Sequence, residues 1–368
     1  MLLLLLVLAI PSAAAQCIPP PTGSCPQRHE QFICHVEGLW LVNGQFYALD
    51  LQAFPLPYTV PEHHTGRSIT ILRAPYVLHA TEIWKGGLTV IHHRIYPHAY
   101  AHMMRDTLPQ DLFAFRRFHT ATWDPAVIRP QLRALYLDGE TTTHEGYRVH
   151  SDHPPWERTV ESLQGTSMYF ERAVVGHFGE LPVDSCNHHF FSPADWQGYS
   201  DFLALATLGR LPGRNPLAVW LANRNPGADR ELVNGDDLAR ALPGDVMTDR
   251  PGTLARWKDQ ILLARSAAVI VGPHGANLAN VVAAGTNVSV VEIQVRDFLS
   301  GWYAQQCGYQ GARWFSSHTR VEDVPAGEGG GRVSADVELV ATRVRAAMLG
   351  REAPVCAFEF TAAVQMCW

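Results

Sequence analysis

Three short segments carry side chains whose types and spacing can do chemistry. The first, YAHMMRDTLP, sets His102 and Asp106 four residues apart, so a helix would place both on one face. There the carboxylate can orient the imidazole, or either group can act as a general base. The second, NRNPGADRELVNGDDL, holds Arg224, Arg230, Asn234 and Asp237 just after an apolar run. A guanidinium there can neutralise a phosphate in bidentate fashion. The third, GPHGANLANVVAAGTNVSVVEI, runs from Gly272 to Ile293 and reads as strand, tight turn, helix, strand. Gly272 and Gly275 would let the turn approach a ligand closely. The helix after it would aim free N–H groups and its positive end at a diphosphate. His274 can donate to a phosphate oxygen, and Glu292 can accept from ribose hydroxyls. Each segment alone also has a plain reading, as a surface ion pair, solvated arginines or glycines that only make turns.

The elements that would position these groups follow from periodicity. Ala101 to Phe118 reads as a helix, with Met103, Leu108, Leu112, Phe115 and Phe118 near helical spacing. Ser68–Leu72, Leu88–Ile91 and Leu132–Leu137 read as strands, and the first half as a loose α/β unit. Ser192 to Leu208 is a helix opened by Ser-Pro-Ala-Asp, an N-cap with proline at the first helical position. The second half is more regular. Strands Leu217–Ala222, Ala267–Val271 and Val288–Ile293 alternate with helices Gly235–Leu242, Leu254–Ser266 and Ala276–Ala284. A last helix, Val337–Met348, stops at Gly350. Continuous β-branched strands between helices mean a parallel sheet covered on both faces, so this half reads as Rossmann-like.

Composition narrows the function. The chain has 368 residues, 47% hydrophobic and 17% charged, which suits a folded protein and excludes a disordered one. A net charge of -6 argues against a general nucleic-acid binder. The apolar run Leu2–Ile10 followed by Pro-Ser-Ala-Ala-Ala reads as a signal peptide, residues 1–15, with a short uncleaved anchor as the alternative. The run is shorter than the ~20 apolar residues of a membrane span. No other membrane segment is found, so the expected home is a secretory lumen. Seven cysteines include no C-x-x-C pair. Cys17, Cys25 and Cys34, with Cys356 and Cys367, read as staples on the chain ends, and the odd number leaves at least one thiol over. Neither H-E-x-x-H nor G-x-S-x-G occurs, so zinc and α/β-hydrolase readings lack support. Asn287-Val288-Ser289 is a glycosylation sequon at the mouth of a buried strand, expected to be unmodified.

In this order and spacing, the three segments resemble glycosyltransferase family 61. The shared pattern is aromatic-x-His-x-x-x-Asp-x-Leu-Pro, then Arg with a later Arg and Asn, then Gly-x-His-Gly-Ala-x-Leu-x-Asn and a strand ending in Glu. It falls on Tyr100–Pro109, Arg224–Asn234, Gly272–Asn280 and Glu292. Trp257–Ser266 and Tyr169–Gly176 also resemble family segments, so the likeness runs from about Cys34 to Gly350. Asn277, Ala279 and Ala101 depart from residues common in the family.

The resemblance implies an α/β, GT-B-like fold: two Rossmann-like domains facing a cleft. Residues 16–190 would be the acceptor side, 191–350 the nucleotide-sugar side and 351–368 a tail. It implies inverting transfer of GlcNAc, xylose or arabinose from a UDP-sugar to a hydroxyl of a glycan or glycoprotein. His102 and Asp106 would be catalytic, with Arg224, Arg230, Asn234, His274, Gly275, Ala276, Asn280 and Glu292 at the donor. No cofactor is implied beyond the UDP-sugar co-substrate. A strict Asp-x-Asp is absent, which favours charge stabilisation by Arg224, Arg230, His274 and the helix end over a bound metal. The alternatives are a non-catalytic glycan- or nucleotide-sugar-binding relative, a Rossmann oxidoreductase and a secreted metal-dependent hydrolase.

Overall fold

The structure is a computed structural model. It describes residues 16–18, 33–49, 56–62, 67–94, 96–142, 144–176, 191–223, 230–248, 256–294, 301–318 and 332–350. The expected leader 1–15, the tail 351–368, the cysteines Cys25, Cys186, Cys356 and Cys367, and Arg224 lie outside the described residues.

The strands of the first half are β1 (Gln16–Ile18), β2 (Ile33–Val42), β3 (Gln45–Ala48), β4 (Tyr58–Glu62) and β5 (Arg67–Arg73), then β6 (Glu82–Trp84), β7 (Leu88–His92), β8 (Leu132–Tyr136), β9 (Trp156–Glu157) and β10 (Ser167–Val175). They form one ten-stranded sheet in the order β4-β5-β3-β2-β10-β7-β8-β9, with β1 on β2 and β6 on β10. This is not the Rossmann-like sheet expected of the first half, because it is mixed. β2 runs antiparallel to both β3 and β10, and β4 to β5, while β10-β7-β8-β9 is parallel. The cause is local. Asn43 and Gly44 both take positive φ, 51° and 78°, the backbone of a two-residue hairpin turn, and a hairpin forces antiparallel neighbours.

The second half gives β11 (Ala218–Leu221), β12 (Asp245–Thr248), β13 (Val269–Pro273), β14 (Ser289–Gln294) and β15 (Arg313–His318). Every pair is parallel, in the order β12-β11-β13-β14-β15. Every residue of β13 and β14 is buried, as the continuous apolar runs require. The chain leaves β11 outward to β12 and returns to β13, so the order reverses between β11 and β13. Ligands of such sheets bind beyond the strand ends at that reversal.

One apolar cluster joins the inner faces of both sheets. Leu88, Val90, Leu132 and Tyr136 from the first meet Trp220, Ile270 and Val290 from the second through Tyr199, Phe202 and Ile261. Ser192 caps the helix Pro193–Leu208 with a reciprocal bond to Asp195, as its sequence indicates. Cys34 is disulfide-bonded and Cys307 is a buried free thiol. Asn287 is exposed in a turn with φ of 61°, and Ser289 of its sequon is buried. Among the described residues no helix is long and apolar enough to cross a membrane.

Candidate active site

The expected helix from Ala101 is present, but it is not uniform. Tyr100–His102 is α-helical, Met103–Thr107 is a π-helical turn, and Leu108–Phe118 is α-helical again. Leu108 N–H bonds Met103 O, five residues back. Pro109 follows and has no N–H to offer. The next carbonyl in that wide register is Met104 O, and it accepts instead from Tyr199 OH at 2.9 Å. A tyrosine on the helix Pro193–Leu208 thus replaces the donor that proline lacks. Single π turns of this kind recur at functional sites.

His102 and Asp106 meet across this turn. Nδ1 of His102 donates to Oδ2 of Asp106 at 2.7 Å. Arg105 binds the same carboxylate through Nε at 2.9 Å and a second nitrogen at 3.0 Å. Asp106 is fully buried, and both its oxygens are engaged. Burial opposes its ionisation, but the Arg105 charge and the bonds from His102 and Arg105 outweigh that and hold the carboxyl below its ordinary range. Of the two base candidates, Asp106 has no face towards an acceptor. It accepts from Nδ1 and so fixes the imidazole tautomer, with Nε2 as the unprotonated nitrogen of a side chain that is 11% exposed.

Two further carboxylates share this behaviour. Asp111 is buried between His92, His150 and Tyr136, and Asp138 is gripped by Arg94. For both, burial opposes the charge, but hydrogen bonds from the histidines and from Arg94 win and lower the pKa. A depressed folded-state pKa contributes stability above the unfolded value of about 4 and loses it as pH falls through the folded values. The melting temperature should therefore hold near neutrality and fall progressively below about pH 4. A flat melting temperature down to pH 2 would contradict these assignments.

The loop expected to meet the donor sits at the end of β13, beside the sheet's reversal point. Asn277 Nδ2 bonds Asn223 O at 2.7 Å, tying the loop to the end of β11. Asn223 in turn bonds the backbone N of Leu232 at 2.9 Å and its O at 3.1 Å. His274 is buried, and its Nδ1 bonds Glu292. Arg230 is half-buried in a turn with φ of 60°. Gly275 precedes a 3-10 turn, Ala276–Asn280, and one α turn, Val281–Ala284. The expected helix Ala276–Ala284 is thus mostly 3-10 and short, which weakens the dipole available to a diphosphate.

Several donor residues prove to be braces. Glu292 is fully buried and holds His274 and, at 2.8 Å, Trp314 Nε1, so it has no face for a ribose. Asn280 is fully buried and bonds Tyr100 OH at 2.6 Å and Asn277 O at 2.9 Å. Asn234 pairs with Ala335 in both directions at 2.9 Å. Gly272 is explained by packing, since a Cβ there would lie 2.6 Å from Ala222 O. Of the rest of the donor list, His274 and Gly275 are also buried, and Arg230 is half-buried.

What joins the halves was not legible as a motif. Trp302 and Tyr303 open the helix Trp302–Gln310. The Trp302 ring lies 5.8 Å from His102 and stacks under the Arg105 guanidinium at 4.2 Å. Tyr303 donates to Gly275 O at 2.5 Å, with its ring 5.2 Å from His274. Consecutive aromatics therefore link the His–Asp pair to the phosphate-type loop, and Tyr100–Asn280 is a second link. Tyr100→Phe would leave the buried Asn280 oxygen without this donor and should cost ~1–3 kcal/mol, read by denaturant unfolding. An unchanged unfolding midpoint would show the link is idle.

The α/β fold thus holds an oriented imidazole that aromatics tie to a loop at a sheet's reversal point. A model of the family Glycosyltransferase 61 matches residues 100–291, more than half of the chain. The chain belongs to glycosyltransferase family 61 and is a glycosyltransferase. No match is found among curated proteins.

Proposed function

We propose that this chain moves a sugar from a UDP-sugar to a hydroxyl of a glycan or glycoprotein, inverting the anomeric centre. His102 Nε2 takes the proton of the acceptor hydroxyl. The hydroxyl oxygen attacks the anomeric carbon from the face opposite the diphosphate, whose C–O bond breaks as UDP leaves. Charge on the departing diphosphate falls to His274, to Arg230 and to Arg224, which follows β11 in sequence. In this reading residues 16–190 face the acceptor and 191–350 the donor, in a GT-B-like arrangement, and transfer needs no metal. The disulfide at Cys34 supports an oxidising lumen as the workplace. The single observation that carries the proposal is the His102–Asp106 pair bridged to His274 by Trp302 and Tyr303.

The donor class is tested by thermal shift with UDP, UDP-GlcNAc, UDP-xylose and UDP-arabinose. A ligand that binds only the folded state stabilises it, by ~2.7 kcal/mol at a hundredfold excess over Kd. At least one UDP-sugar should raise the melting temperature. No shift with any of them would sink the donor assignment.

A further inference from the structure

We propose that Tyr96 is the platform of an acceptor subsite that binds a neutral sugar ring, so that the acceptor is a glycan. This rests on the transferase reading given above. Tyr96 is 68% exposed and belongs to none of the three apolar clusters that build the core. An exposed tyrosine contributes little to folding. Its backbone adds a cost, because φ is 45°, a conformation that favours glycine. The turn is closed by Ala99 N–H donating to Tyr96 O at 2.8 Å. The ring contact bought by this strain is with His102, at 4.9 Å and tilted by 51°. The imidazole thus lies between an exposed aromatic and the half-buried Trp302.

The surroundings match one ligand chemistry. His98 and Glu140, both well exposed, pair at 3.0 Å. His144 Nε2 meets His98 O at 2.9 Å. An aromatic face with donors and acceptors around it suits a sugar ring, which offers C–H bonds on its flat face and hydroxyls at its edge. A ring laid on Tyr96 would stand on the residue whose ring contacts that of His102 at 4.9 Å. Neither the position nor the exposure of Tyr96 follows from a sequence motif.

The test compares Tyr96→Ala, Tyr96→Gly and Tyr96→Trp in the full chain. Cello-, xylo- and chito-oligosaccharides are the probes, with binding read by saturation-transfer NMR in the absence of donor. Where transfer is measurable, KM and kcat are separated. Tyr96→Ala should lose the oligosaccharide signals and raise acceptor KM about tenfold, with kcat and the UDP-sugar thermal shift little changed. Tyr96→Trp should keep binding. Tyr96→Gly should lose binding yet melt higher than the parent, because the left-handed backbone is no longer strained. Unchanged binding in Tyr96→Ala, no binding by any probe, or a fall in kcat at constant KM would overturn the subsite. If UDP-sugars fail to bind while oligosaccharide signals still depend on Tyr96, the donor reading fails and the subsite stands.

Discussion

His102→Ala should lower turnover by about 10²–10⁴-fold, the range that a positioned general base supplies. The acceptor hydroxyl would then have to lose its proton to solvent. The expected loss falls on kcat, since in the proposed reaction His102 meets the acceptor hydroxyl rather than the donor. The UDP-sugar thermal shift should survive. Folding should survive too, because removal of the imidazole leaves Asp106 still held by both Arg105 nitrogens. Full activity in this variant would remove the base assignment. A misfolded variant would be recognised by loss of the thermal transition, and His102→Gln, which keeps a donor for Asp106, then serves as the second probe.

The largest stability effect should come from Arg94→Met. Arg94 is almost fully buried and binds Asp138 at 2.6 Å and Glu157 at 2.9 Å, with a further bond to Glu140 O. Its guanidinium also lies 4.4 Å from the Tyr136 ring and 5.0 Å from the Tyr147 ring. Methionine keeps much of the volume but leaves two carboxylates facing each other without their cation. Breaking a buried pair in this way costs ~3–5 kcal/mol. Denaturant unfolding reads that cost directly, and a loss below about 1 kcal/mol would mean that water already screens the pair.

The second half was largely legible. Its inner strands β11, β13 and β14 are buried and largely apolar, and they and the helix Val337–Met348 lie where the pattern puts them, whereas the polar edge strands β12 and β15 and the helix Trp302–Gln310 left no such pattern. The first half was read less well for a physical reason. Its sheet is held by long-range pairs such as β2 with β10, and such pairing leaves no local period in the sequence. One signal was present and missed: Asn43-Gly44, a hairpin dipeptide that fixes β2 and β3 as antiparallel.

The site divides in the same way. The His102–Asp106 contact was legible from the four-residue spacing, because it needs only its own helix turn. The roles of Glu292, Asn280 and Asn234 were misjudged, since a polar residue near a loop offers the same letter whether it meets a ligand or a neighbour. Only burial and partners separate the two cases. Pro109 stood in the motif, but its effect depends on Tyr199, 90 residues later in the chain. Arg105 was visible as a charge inside an apolar stripe, which in a helix facing a core signals a buried partner.

The most direct test is the anomeric configuration of the new glycosidic bond, read by NMR in the product formed from an α-linked UDP-sugar. A single displacement with His102 as base predicts a β-linked product, formed by the parent protein and lost in His102→Ala. An α-linked product, or β-linked product formed as fast without His102, would contradict the mechanism.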